Sequence, residues 1–191
     1  MDIVPQAEFF FEPVEVTYPE NLGLQFDLAV LYALHGHPTL SFRIARFLSR
    51  RIPDEVQGSM PLAIYFLLYP FSFNEMIESA ADTFSVDDCF IRAVIRQESI
   101  FDPIIGSPAG AIGLMQIMPS TGKAIANTLG DPYTPDSLYN PAKNVRYGAF
   151  YLRKLLKEFD GSKVLALSGY NGGPHNAIKW LKRNHDLDFD L

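Results

Sequence analysis

Apolar positions recur mostly at helical spacing along this chain. Leu24, Leu28, Leu31 and Leu34 are separated by four, three and three residues, which predicts one face of a helix. Gly36 and Pro38 break it, and a second helix follows. In that helix Phe42, Ile44, Ala45, Phe47 and Leu48 are apolar, Arg43, Arg46, Arg50 and Arg51 supply the wet side, and Pro53 closes it. A third, short helix is expected over Leu62 to Leu68, before a break at Tyr69-Pro70-Phe71. Residues 1–20 are rich in proline and aromatics without a period and read as an irregular leading segment. The expected organisation is therefore this segment, a helical-hairpin array over 21–73, and a larger helical domain over 74–191.

Within the larger domain, Asn74 to Thr83 reads as a helix. Ser85 with Asp88 three residues on has the form of a capping box ahead of Val86, Phe90, Val94 and Ile95, which share one side of the next helix. That helix carries Glu98 in its last turn and is expected to end near Asp102-Pro103, since proline disfavours helical geometry in the residue before it. Residues 104–118 contain many small residues and little period, so a loop with a short strand pair is expected. Pro119 opens a helix that Gly130 ends, and Asn140-Pro141 opens the longest one, running to about Phe159. A last pair, Lys163 to Ser168 and Pro174 to Lys182, is expected to flank a bend at Gly169-Tyr170-Asn171-Gly172-Gly173. The loop after Glu98 and this bend are the candidate site.

Composition narrows the function classes. The 191 residues are 48% apolar, as a globular core requires, and the longest apolar run falls far short of the roughly 20 residues that cross a bilayer. The N-terminus carries no basic and apolar leader, so the chain is expected to stay inside the cell or to be a piece of a longer protein. Of the net charge of -6, residues 1–84 hold 11 acids and 4 bases, whereas residues 85–191 hold 11 acids and 12 bases. Neither half offers the basic face that nucleic acid needs. Cys89, a single cysteine on a helix among apolar neighbours, is expected to be buried. His35, His37, His175 and His185 match no metal-ligand spacing, so no metal is expected, and they are read as surface residues.

Glu98 is the strongest chemical candidate. At a helix C-terminus the macrodipole disfavours its charge, and apolar neighbours such as Phe101, Met115 and Ile117 would raise its pKa further. A carboxyl held protonated near neutrality can act as a general acid. The competing reading is a salt bridge to Arg92 or Arg96. Asp102 before Pro103 fits a backbone turn better than a second catalytic carboxylate, and Ser107 lacks the glycine that a nucleophile elbow places two residues before its serine.

Taken together, Arg96-Gln97-Glu98-Ser99, Phe101-Asp102-Pro103, Ser107-Pro108-Ala109-Gly110-Ala111, Gly113-Leu114-Met115-Gln116-Ile117-Met118-Pro119 and Gly169-Tyr170-Asn171-Gly172-Gly173-Pro174 resemble the soluble lytic transglycosylases. The resemblance covers residues 74 to 185, and residues 21–73 look like the end of the helical superhelix that precedes that family's catalytic domain. It implies a mainly α chain: a lysozyme-like helical domain with a minor β element, preceded by a short α-superhelical segment. It implies non-hydrolytic cleavage of the β-1,4 bond between N-acetylmuramic acid (MurNAc) and N-acetylglucosamine in peptidoglycan, leaving 1,6-anhydro ends, without metal or organic cofactor. The rivals are a lysozyme-type hydrolase on the same fold and a fragment that binds peptidoglycan without cutting it. By the resemblance Glu98 is catalytic and Ser107, Gly113, Met115, Gln116, Tyr170 and Asn171 bind substrate: Ser107 and Gln116 hydrogen-bond the muramoyl sugar or steady the oxazolinium-like state, Met115 shapes the subsite, Gly113 lets backbone approach the glycan, and Tyr170 contacts and orients Glu98. The partner implied is the glycan strand, and the compartment the periplasm or cell envelope. The family's catalytic domain continues past the position of Leu191, so truncation at the C-terminus is expected.

Overall fold

Helix termini follow local chemistry closely. In the computed structural model, which describes residues 18, 20–52 and 60–183, Asn21 caps α1 (Leu22–Leu34) by accepting the Leu24 amide at 3.1 Å. Pro38 stands at the first position of α2 (Pro38–Ser49), and α3 spans Leu62–Leu68. The described residues up to Ser72, joined by Ile100–Asp102, form one compact unit. Its core is built from Leu28, Ala29, Tyr32, Ile44, Ala45 and Leu48 with α3's Ile64, Leu67 and Leu68. Pro53 lies outside the described residues.

The buried face of α1 differs from the leucine stripe. Gln25, Leu28, Ala29 and Tyr32 face the core, whereas Leu31 and Leu34 are exposed. Nearly every position of α1 is apolar, so periodicity alone does not single out a face, and packing against α2 selects it. The buried Gln25 amide is satisfied by donating to the Tyr18 carbonyl at 3.0 Å.

The second unit comprises Phe73–Ser99 and the described residues from Pro103 onward. It contains α4 (Asn74–Phe84), α5 (Asp88–Ser99), α6 (Pro119–Leu129), a 3₁₀ turn (Pro135–Tyr139), α7 (Pro141–Glu158), α8 (Lys163–Gly172) and α9 (Pro174–Arg183). The fold class is mainly α. The β element reduces, among the described residues, to isolated antiparallel bridges pairing Ile112 with Gly106 and with Ile117. α7 is the central element, packed on α4, α5, α6, α8 and the 3₁₀ turn. Asn140 and Pro141 open it as cap and first residue, with the Asn140 side chain accepting the Lys143 amide at 3.0 Å. Fully buried Val145, Ala149, Leu152 and Leu155 anchor its neighbours; a buried leucine contributes about 1.5–3 kcal/mol.

Three local expectations are corrected. Ser85 adopts a left-handed conformation (φ 52°) as the C-cap of α4, so the cap of α5 is Asp87, whose carboxylate accepts the Phe90 amide at 3.2 Å. Cys89, in the exposed first turn of α5, is exposed. The helix α8 does not break at Gly169 but runs on to Gly172. Its glycines serve close packing: a Cβ on Gly169 would lie 3.0 Å from the Phe159 ring, and one on Gly172 would lie 2.7 Å from Trp180.

Candidate active site

Glu98 follows Val94 and Ile95 by four and three residues, which places it on the buried face of α5. It is half-buried, and this burial raises its carboxyl pKa above the usual value. Among the described residues no lysine or arginine nitrogen lies within 4.0 Å of it. Arg92 is engaged elsewhere, donating to Asn74 at 2.7 Å and pairing with Asp88 (3.5 Å) and Glu78 (3.7 Å). At the other end of α5, Lys163 bonds Asp87 at 2.8 Å and holds that carboxyl below its usual range. The helix stops one residue after Glu98, before Pro103 could require it, because Ile100 (φ 52°) and Phe101 (φ 60°) are both left-handed. Such conformations cost a β-branched or bulky residue roughly 1–3 kcal/mol, and the ring of Phe101 is buried to 1% exposure.

The loop over 104–118 is held by a residue the sequence reading passed over. Asn144, on α7 and fully buried, accepts the Met115 amide and donates to the Ile112 and Leu138 carbonyls, each at 2.8 Å. Gly113 (φ 76°) sits against this clamp, where a Cβ would approach the Asn144 amide nitrogen to 2.5 Å and the Leu138 carbonyl to 2.6 Å. Two assignments change accordingly. Gly113 is a buried packing position rather than a point of glycan approach, and the Met115 side chain is fully buried against Gly148 rather than on a subsite wall. What Met115 offers is its carbonyl.

That carbonyl accepts the Tyr170 hydroxyl at 2.7 Å. Tyr170, on α8, rests on Tyr151 of α7 with ring centroids 5.5 Å apart. Its phenol pKa is raised by burial first and then by the negative charge of Glu98, which puts the two side chains in electrostatic range. The phenol has one proton and gives it to Met115, so Tyr170 does not orient Glu98 by donating to it. Gln116 (φ 47°) turns its side-chain amide to donate to the Gly113 carbonyl at 2.9 Å and the Ile105 carbonyl at 3.2 Å, which leaves its amide oxygen as an acceptor. Ser107 closes a turn by accepting the Ala111 amide at 2.9 Å. Asn171 is exposed and donates to the Leu167 carbonyl one helical turn back at 3.3 Å. The Tyr170 hydroxyl and the Met115 carbonyl are thus joined by a hydrogen bond, Glu98 lies within electrostatic range of Tyr170, and Gln116 follows Met115 in the clamped loop.

A polar residue among the apolar positions of α7 was the available signal for Asn144; without a view of what it faces, it reads like any cap or surface asparagine. The family model described as the transglycosylase SLT domain matches residues 75–191. The chain belongs to that family. Over 118 residues the chain is 33% identical to a putative soluble lytic murein transglycosylase of Haemophilus influenzae, covering 61% of this chain and 20% of that protein. Over 177 residues it is 30% identical to membrane-bound lytic murein transglycosylase C of Histophilus somni, covering 87% and 45%. The chain therefore spans between about a fifth and a half of these relatives' length. Among solved structures, an inactive Glu-to-Gln mutant of lytic transglycosylase Slt from Pseudomonas aeruginosa is similar with a TM-score of 0.71 and 28% identity, over 85% of this chain and 24% of that one. The 70-kDa soluble lytic transglycosylase in complex with bulgecin A shares the fold at a TM-score of 0.72 and 24% identity, over 85% and 25%.

Metal-ligand geometry in the SLT chain is confined, among the described residues, to Asp87, Asp88 and Cys89, whose donor atoms lie within 4.8 Å of one another. Asp87 is already bonded by Lys163 and the Phe90 amide. The group stands at the first turn of α5, roughly 15 Å of helix away from Glu98 at 1.5 Å per residue. No helix among the described residues is long and apolar enough to cross a membrane.

Proposed function

We propose that this chain carries the catalytic centre of a peptidoglycan lytic transglycosylase that cleaves the MurNAc-GlcNAc β-1,4 bond without water, with Glu98 as its one acid and base. The observation that carries the reading is the half-buried Glu98 carboxyl, with its pKa raised by desolvation and no lysine or arginine against it among the described residues, in electrostatic range of Tyr170. A carboxyl in that state is the proton donor that glycosidic cleavage needs. The family membership and the relatives named as lytic murein transglycosylases support it. So does the similar Pseudomonas aeruginosa enzyme, whose inactive form is a Glu-to-Gln mutant.

Protonated Glu98 gives its hydrogen to the bridging oxygen as the bond from that oxygen to the muramoyl C1 breaks. The N-acetyl carbonyl of the same sugar shields the developing positive charge, so no carboxylate nucleophile is required, as in other substrate-assisted glycosidases. The muramoyl C6 hydroxyl then bonds to C1 and returns its proton to the Glu98 carboxylate, closing the 1,6-anhydro ring. Tyr170, its own proton committed to Met115, presents lone pairs and favours the protonated carboxyl. In this reading Gln116 offers its amide oxygen to a sugar N–H or O–H, Ser107 its hydroxyl proton, and Asn171 contacts the strand at the exposed end of α8. The compartment is the cell envelope, where the substrate lies.

Purified sacculi digested with the wild type and with Glu98→Gln test this. The wild type is expected to release anhydro muropeptides, and the variant to lose about 10²- to 10⁴-fold in turnover, the usual worth of a positioned proton donor, while still binding glycan. Products heavier by one water would assign hydrolysis instead, and unchanged turnover in the variant would remove Glu98 from the chemistry.

A further inference from the structure

The first unit carries a charged cleft that the proposed reaction does not use. All four basic residues of residues 1–84 are Arg43, Arg46, Arg50 and Arg51, in a segment with 11 acids. The first three lie at i, i+3 and i+7 of α2 and its C-cap, so their guanidiniums share one helix face. With Leu40 and Phe47 they line a cavity of about 620 Å³, within the roughly 300–1,000 Å³ typical of small-ligand sites. Arg51 lies over the Phe47 ring, 3.5 Å from its centroid, and pairs with Glu20 at 3.8 Å. Among the described residues no carboxylate lies within 4.0 Å of Arg46 or Arg50.

Stability alone does not account for the cluster. A helix C-terminus favours nearby cations, but its dipole amounts to about half a charge and four guanidiniums exceed it. Like charges three and four residues apart on a helix repel. Neighbouring planar guanidiniums over an apolar floor are suited to hold carboxylates by paired hydrogen bonds while the ligand's aliphatic part lies on Phe47 and Leu40.

We propose that this cleft binds the carboxylate-bearing peptide stems of peptidoglycan, a second contact with the polymer apart from the glycan site. The inference rests on the transglycosylase reading for the identity of the polymer, and on charge complementarity for the occupant: the stem is a short acidic peptide with several carboxylates on aliphatic side chains.

The full chain is titrated, by calorimetry, with the free stem tripeptide of alanine, γ-linked glutamate and diaminopimelate, with its carboxamide form, and with inorganic phosphate. The acidic tripeptide is expected to bind, the carboxamide to bind at least about tenfold more weakly, and the double variant Arg46→Gln/Arg50→Gln to lose about tenfold or more in affinity with an unchanged melting temperature. On intact sacculi the same variant should raise KM several-fold at constant kcat, and on peptide-free glycan strands both constants should stay at the wild-type values. Equal binding of acid and carboxamide, unchanged affinity in the double variant, or displacement of the tripeptide by phosphate at equal concentration would overturn the proposal. If the wild type cleaves neither substrate, the transglycosylase reading fails, whereas the titration still decides the cleft.

Discussion

Replacing Asn144 with leucine keeps most of the side-chain volume and removes the clamp on the 112–115 turn. Asn144 makes three buried hydrogen bonds of 2.8 Å. The Ile112 carbonyl keeps a second partner, the Ile117 amide at 3.0 Å, so the substitution orphans two backbone groups, the Met115 N–H and the Leu138 C=O. An orphaned buried polar group costs about 1–3 kcal/mol, which gives roughly 2–6 kcal/mol for the pair, a large share of the roughly 5–15 kcal/mol that holds a domain folded. At about 2–4 °C per kcal/mol for a chain of this size, a loss of about 4 kcal/mol lowers the melting temperature by roughly 8–16 °C. Calorimetric melts give the shift, and amide hydrogen exchange at Met115 locates it, since that N–H should become one of the faster-exchanging amides of the loop. Turnover should fall further than stability explains, because the Met115 carbonyl that receives Tyr170 moves with the turn. A variant that melts within about 2 °C of the wild type with a slow Met115 amide would refute the clamp.

Other consequences follow from burial and packing. The Glu98 pKa is raised in the folded state, so its favourable contribution is complete below the unfolded value of about 4.5 and disappears as pH rises through the folded value. Glu98→Gln should therefore melt above the wild type at pH 8 and converge on it near pH 4; a variant no more stable at pH 8 would contradict the desolvation. Gly148→Ala should be strongly destabilising, because the added Cβ falls 2.1 Å from the Met115 sulfur and 2.9 Å from its Cβ. Combined with Met115→Ala the cost should be less than additive by at least about 1 kcal/mol, read by denaturant melts of the four proteins in the cycle.

Helix boundaries were legible where a local residue dictates them. The proline-opened α2, α6 and α7, the glycine stop after α6 and the short α3 all follow from chemistry within four residues of the helix end, which a linear reading captures. The assignment of Glu98, Gln116 and Tyr170 to one site came from their motifs and the family resemblance, since the three are far apart in the chain. Periodicity failed where composition was uniform, as on α1, and glycine misled where it serves packing rather than turning, as at Gly169 and Gly172.

By itself the amino-acid order determined which segments are helical, where most of them end, that the chain is mainly α, and that Glu98 stands at a helix terminus. Tertiary structure alone decided that Asn144 reaches 29 residues back to hold Met115, that the Tyr170 proton goes to a carbonyl rather than to Glu98, and that Gly113 and Met115 are interior residues. Capping and periodicity act over a few residues of backbone, whereas desolvation and buried hydrogen bonds depend on which distant groups the fold brings within 3 Å.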